Sequence, residues 1–202
     1  MCGGPMLLYN NMLSGNCYKV RLLFAQLGIE YERREVDVFD RSGRREKLGE
    51  LNPALRVPVL LLDDGRALAE SGAIIFHFAQ GTDYLPDDQF ERAQVLQWLF
   101  FEQDSLEPNI AVLRFYELAG IQAPEAEMEA KRKAGVFALR ALETQLSDRE
   151  FLVGDRHSIA DIALFAYTHV APEGGFELAG YPAIRAWMTR VTAQPGHIAI
   201  TD

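Results

Sequence analysis

The sequence predicts two domains: an α/β domain with the element order β-α-β-α-β-β-α over residues 1–80, and an all-helical domain over residues 90–202. Three observations predict this division. Apolar periodicity alternates between strand-like and helix-like in the first eighty residues and stays helical afterwards. Residues 81–89, GTDYLPDDQ, are rich in Gly, Pro and Asp and read as a linker. Charge is also unevenly placed: residues 1–80 hold ten Lys/Arg and ten Asp/Glu, and residues 81–202 hold ten and nineteen.

Residues 6–9 (MLLY) read as a short buried strand, and Cys17 to Leu27 as a helix with Val20, Leu23, Phe24 and Leu27 on one face, ended by Gly28. Residues 30–38 alternate as a more exposed strand does, which completes a βαβ unit with a parallel pair. After a basic, polar stretch, Val57 to Leu62, the turn Asp63-Asp64-Gly65, and Arg66 to Leu68 form a β-hairpin. Glu70-Ser71 then open a helix through Phe78.

In the second part, Phe90 to Leu118 reads as one long helix or a pair broken near Glu107-Pro108, and Glu125 to Leu146 as an amphipathic helix. Ser158 to Val170 is apolar almost all round, the mark of a buried helix, and Ala183 to Thr192 closes the bundle. Ser158, three residues before Asp161, has the spacing of a capping box, a structural device that starts the buried helix.

Composition excludes several function classes. The chain of 202 residues has 49% apolar and 24% charged residues, as folded globular chains do. No window approaches the ~18 consecutive apolar residues of a membrane span, and MCGGPM lacks the basic start of a secretory signal, so a cytoplasmic location is expected. Two cysteines, Cys2 in the N-terminal tail and Cys17, fit a reducing compartment rather than a disulfide framework. His77, His157, His169 and His197 are scattered, which argues against a metal site. The net charge of −9, without a basic patch, argues against nucleic-acid binding.

Four motifs resemble those of the cytosolic glutathione transferases. They are Ser14-Gly15-Asn16-Cys17-Tyr18-Lys19-Val20-Arg21, Asn52-Pro53-Ala54-Leu55-Arg56-Val57-Pro58, Glu70-Ser71-Gly72-Ala73-Ile74 and Ser158-Ile159-Ala160-Asp161. Each is weak alone, but together they lie in the family's order and spacing over nearly the whole chain. The resemblance is to bacterial members with a serine motif of theta, zeta or Nu type. It implies a thioredoxin-like N-terminal domain that binds glutathione as co-substrate, and a helical domain with a hydrophobic pocket for the electrophile. It also implies a homodimer and a detoxifying role.

Glutathione carries an α-carboxylate and α-amine at its γ-glutamyl end, a thiol in the middle and a carboxylate on its glycine. At the start of a helix, Ser71 and its free backbone N–H groups suit the γ-glutamyl carboxylate, and Glu70 the ammonium. The resemblance makes Val57-Pro58 the family's cis-proline, with the Val57 backbone pairing to the cysteinyl residue as a short added strand. Arg56 is the chosen partner for the glycine carboxylate, with Arg41, Arg44, Arg45 and Lys47 as further cations.

Beside the sulfur the sequence offers three candidates. Ser14 matches the serine of theta and zeta enzymes, Ser14-x-Asn16-x-x-Lys19 is similar to the Nu pattern, and Cys17 falls where beta-class enzymes form a mixed disulfide. Tyr9, in an apolar run, is a minor fourth. Lowering a thiol pKa by ~2 units from ~8.5 takes about 3 kcal/mol. One hydroxyl donor (about 1.5–3) plus a helix N-terminus (about 0.3–1) supplies it.

The expected activity is attack of the thiolate on a hydrophobic electrophile, bound near Asn11, Met12 and Leu13 and the first long helix, with Phe115 or Tyr116 lining the pocket. The alternatives are glutathione-dependent disulfide or peroxide reduction, and a non-catalytic glutathione-binding or protein-interaction module.

Overall fold

A computed structural model describes residues 5–202, so Cys2 lies outside the described residues. The chain divides into two compact units: the first eighty residues together with Pro195–Asp202, and Gly81–Gln194. The linker expected at 81–89 thus belongs to the second unit, and the last eight residues, expected in the helical domain, belong to the first.

The first unit follows the order β1 (Leu7–Asn10), α1 (Gly15–Leu27), β2 (Glu32–Glu35), α2 (Arg44–Leu48), β3 (Val59–Leu61), β4 (Ala67–Ala69), α3 (Ser71–Phe78). The sheet runs β2-β1-β3-β4, with β1 and β2 parallel and the other pairs antiparallel. This is the thioredoxin-like arrangement. Helices α1 and α3 pack together, with the Phe24 and Phe78 rings edge to face at 4.8 Å. Tyr9, Val36, Leu48 and Val59 form a smaller apolar cluster. Tyr9 is therefore a core residue, its hydroxyl accepting from Arg34 at 3.2 Å.

The C-terminal segment is pinned by residues of α1. Tyr18 donates its hydroxyl to Ile198 O at 2.7 Å, and the buried Arg21 guanidinium donates to Ile200 O. Gly196 makes the approach possible, because a Cβ there would lie 2.9 Å from the Gln26 Cα. Nothing in the polar, weakly periodic end of the sequence signals this return, since each acceptor is a main-chain carbonyl.

The second unit contains α4 (Gln89–Phe101), a π-helical segment (Glu102–Ala111), α5 (Val112–Ala119), α6 (Glu125–Leu146), α7 (Ile159–Thr168), a 3-10 turn (Ala171–Gly174) and α8 (Pro182–Thr192). Of the two readings of Phe90 to Leu118, one long helix or a pair broken near Glu107-Pro108, the structure shows continuous helix, widened around Pro108. Proline has no N–H for the regular helical bond, and wider turns accommodate the lost partner. Carbonyls in this stretch find side-chain donors: Asn109 Nδ2 bonds Ser105 O at 2.8 Å, and Lys131 Nζ bonds Pro108 O at 3.1 Å.

Helix α7 is buried along its whole length. It opens on a capping box, in which Ser158 Oγ accepts the Ala160 N–H at 3.2 Å and Asp161 Oδ2 accepts the Ser158 N–H at 2.9 Å. Among the described residues, no helix is long and apolar enough to cross a membrane, and no cluster of His, Cys, Asp and Glu could hold a metal ion.

Candidate functional site

The loop from β1 to α1 is organised by backbone-directed hydrogen bonds. Asn11 Oδ1 accepts the Leu13 N–H at 3.0 Å, and Ser14 N–H donates to Asn11 O at 3.1 Å. Arg21 reaches from α1 beneath this loop and donates to Asn10 Oδ1, Asn11 O and Met12 O at 2.8, 3.3 and 3.4 Å. Burial lowers the Arg21 pKa, and the three loop acceptors replace the water it has lost.

Ser14 is the N-cap of α1, extended at φ −80°, ψ 117°, and its Oγ accepts the Cys17 N–H at 3.3 Å. A hydroxyl has one donor and two acceptor lone pairs, so capping uses an acceptor site and leaves the O–H able to donate to an anion. Cys17 is different. It is 0% exposed, its sulfur accepts the Asn11 N–H at 3.4 Å, and burial pushes its thiol up to about 11. A covered thiol that high stays protonated at neutral pH and does not exchange with a disulfide. The fold gives Cys17 a core position, against the reading that offered it as one of three candidates beside the sulfur.

Asn16, half-buried on the first turn of α1, meets the start of α3. Its Oδ1 accepts from the Ser71 hydroxyl at 3.1 Å and from Lys19 Nζ at 2.8 Å, and Lys19 Nζ also lies 3.5 Å from Ser71 Oγ. A residue proposed for the thiol and one proposed for the γ-glutamyl carboxylate are thus directly bonded. Lys19, 1% exposed, is the member that the sequence reading placed in its motif but gave no role, although its spacing from Asn16 puts both on one helix face.

Glu70 caps α3 at φ 69°, a left-handed conformation costly for a residue with a Cβ and often retained where a ligand is gripped. Its side chain is exposed and Ser71 is 4% exposed. The Val57–Pro58 peptide bond is cis. The turn before it is held by the buried Asn52, whose Oδ1 accepts the Ala54 N–H and whose Nδ2 donates to Arg56 O, both at 3.0 Å. Asn52 is a supporting residue that its motif contains but that the sequence reading gave no role.

Arg56 is exposed beside that turn. Among the other cations, Arg44 bonds the carbonyls of Asp37 and Val38, while Arg41, Arg45 and Lys47 are exposed. In the second unit, Phe115 and Tyr116 are half-buried on α5, and the Tyr116 hydroxyl donates to Glu127 Oε1 at 2.8 Å.

Comparison with known proteins agrees with this geometry. The family model described as Glutathione S-transferase, N-terminal domain, matches residues 8–83, and that described as Glutathione S-transferase, C-terminal domain, matches residues 92–195. A crystal structure of a glutathione S-transferase from Pseudomonas fluorescens superimposes with a TM-score of 0.93 at 47% identity, covering 98% of this chain and 100% of that one. Glutathione S-transferase theta-2 of Mus musculus is 31% identical over 92% of this chain and 80% of its own. The disulfide-bond oxidoreductase YfcG of Escherichia coli is 27% identical over 89% of this chain and 87% of its own. With both halves matched in order and a relative above 30% identity along nearly its whole length, the chain belongs to the glutathione S-transferase family of enzymes.

Proposed function

We propose that this enzyme ionises the thiol of glutathione and directs the thiolate at a small hydrophobic electrophile, in a detoxifying transfer. The observation that carries the reading is the Ser71 to Asn16 hydrogen bond of 3.1 Å, which would tie the γ-glutamyl part of a glutathione site to its thiol part. Ser71 and the N-terminus of α3 receive the γ-glutamyl carboxylate, with Glu70 on the ammonium. Val57, ahead of the cis Pro58, pairs with the cysteinyl backbone, and Arg56 holds the glycine carboxylate. Ser14 donates to the thiolate and Asn16 assists.

A second reading, reduction of small disulfides with glutathione, is favoured by the likeness to a disulfide-bond oxidoreductase and by the Ser14-x-Asn16-x-x-Lys19 spacing. Since Cys17 is buried, that chemistry too would run through glutathione's own sulfur. Side-by-side turnover separates the two: the transferase reading expects an aryl halide to be consumed faster than a small disulfide. Faster disulfide turnover would replace it with the second reading, and binding of glutathione without turnover of either would favour a non-catalytic module.

We assign the active form as a cytoplasmic homodimer. Support for the dimer comes from Phe90 and Phe100 on α4 and Phe137 on α6, whose exposures of 71%, 69% and 68% are high for large apolar side chains. Sedimentation equilibrium is expected to return twice the chain mass of 22.7 kDa, and a single-chain mass at micromolar concentration would rule the dimer out.

A further inference from the structure

Lys19 runs against two physical preferences. Lysine is almost never fully buried unless its charge is compensated, and a cation in the first turns of a helix opposes the helix dipole. Yet Lys19 is 1% exposed, five residues after the N-cap of α1. Its contacts show what the position accomplishes. Nζ lies 2.8 Å from Asn16 Oδ1 and 3.5 Å from Ser71 Oγ, and the Ser71 hydroxyl donates to the same Asn16 oxygen at 3.1 Å.

An ammonium can only donate, so the Asn16 atom that faces it must be the amide oxygen, and the choice between the two amide orientations is made by chemistry. With Oδ1 directed at Lys19 and Ser71, the planar amide of this half-buried residue carries its donor, Nδ2, on the other side. A donor held in one orientation stabilises an anion better than one that must first turn, because the ordering cost is met before the ligand arrives.

We infer that Lys19 is a positioning residue of the glutathione site: its ammonium fixes the Asn16 amide as a donor to the glutathione sulfur and joins that donor to Ser71, the anchor of the γ-glutamyl carboxylate. The inference rests on the glutathione reading above. It adds a coupling between the γ-glutamyl carboxylate and the thiol of the ligand. When the γ-glutamyl carboxylate takes the Ser71 hydroxyl, Asn16 Oδ1 keeps Lys19 as its donor, so the amide does not turn as the site fills. Charged residues on the elements that meet here include Lys19 itself, Glu70 at the cap of α3, and Arg21, two residues beyond Lys19 on α1, which donates to Asn10 Oδ1. Of these, Lys19 is the one bonded to Asn16 Oδ1.

The test is the pH profile of kcat/KM for glutathione, with calorimetric titration of glutathione alongside. In Lys19→Met the apparent thiol pKa is expected to rise by about one unit, the scale of effect of losing one well-aligned donor to the thiolate. At a pH below the wild-type value this appears as a roughly tenfold loss of kcat/KM. Lys19→Arg, which keeps donor and charge, is expected to restore most of the profile. In an Asn16→Ala background, adding Lys19→Met is expected to cause no further shift, because the lysine acts through the amide.

A folded Lys19→Met enzyme with the wild-type profile overturns the inference, as does a full further shift in the Asn16→Ala background. If Lys19→Met does not fold, Lys19→Gln with its neutral donor takes its place: a partial shift supports the inference and an unmoved profile overturns it. Failure of the wild type to bind glutathione overturns the glutathione reading together with this inference. Binding by the wild type with an unmoved profile in the variants overturns the inference alone.

Discussion

Asp161→Ala is expected to destabilise the protein by about 3–5 kcal/mol at neutral pH, measured as a lowered midpoint of urea unfolding with an unchanged slope. Asp161 is 0% exposed and accepts four hydrogen bonds. Leu152 N–H and Trp187 Nε1 reach Oδ1 at 3.0 and 2.8 Å, and the Ser158 N–H and hydroxyl reach Oδ2 at 2.9 and 3.1 Å. These donors come from the segment before α7, from its cap and from α8, so one carboxylate joins three parts of the helical unit. Alanine leaves the Leu152, Ser158 and Trp187 N–H groups buried without an acceptor, at about 1–3 kcal/mol each. Asp83→Ala is the control: its side chain is 96% exposed and its pair with Arg156 is long, at 3.5 Å, so a change under about 0.5 kcal/mol is expected. A loss below about 1 kcal/mol for Asp161→Ala would show that these donors find other acceptors.

Ser14→Ala is expected to lower kcat/KM for glutathione about 10- to 100-fold near neutral pH while leaving glutathione affinity within a few-fold. On the proposed reading the hydroxyl donates to the thiolate more strongly than to the thiol, and a hydrogen bond to a charged group contributes about 1.5–3 kcal/mol. Because 1.4 kcal/mol is a factor of ten, that range gives the expected loss. Alanine also removes the cap on the Cys17 N–H, which lowers stability by about 1 kcal/mol. Ser14→Thr separates the two roles, since threonine keeps both cap and donor and should keep most of the activity. Competitive affinity for an S-alkylated glutathione, which has no ionisable thiol, should not change in Ser14→Ala. Wild-type kcat/KM in Ser14→Ala would remove Ser14 from the mechanism and leave Asn16 as the donor.

The outline of the fold was legible wherever a pattern is local. Gly28 ends α1 at φ 65°, the left-handed conformation that glycine adopts most cheaply, so the C-terminus of that helix could be read from one residue. The N-terminus was harder: the helix starts at Gly15, two residues before the expected Cys17, because the cap at Ser14 and not the apolar stripe sets the first turn. The capping box of α7 was visible because its partners are three residues apart, but its third and fourth ties, to Leu152 and Trp187, join residues 9 and 26 positions away.

The site divides along the same line. Ser14, Asn16, Glu70 and Ser71 could be picked out because their types suit caps and anions at helix starts. The burial of Cys17 could not, because a cysteine suits a core and a reactive site equally, and only the packing of α1 on the sheet and α3 decides which way its sulfur is covered. Nor could the meeting of Asn16 and Ser71, 55 residues apart, be read from the chain.

The sequence by itself determined the outline of strands and helices and offered the candidate residues for the chemistry, because periodicity, caps and turns act over a few residues. Only the tertiary structure decided that Lys19 is buried against Asn16 and Ser71, that Arg21 and Tyr18 hold the C-terminal segment, and that Cys17 lies in the core. The physical reason is that burial and hydrogen-bond partnership are set by which surfaces of distant elements come together, and a side chain's type does not specify which surface it will meet.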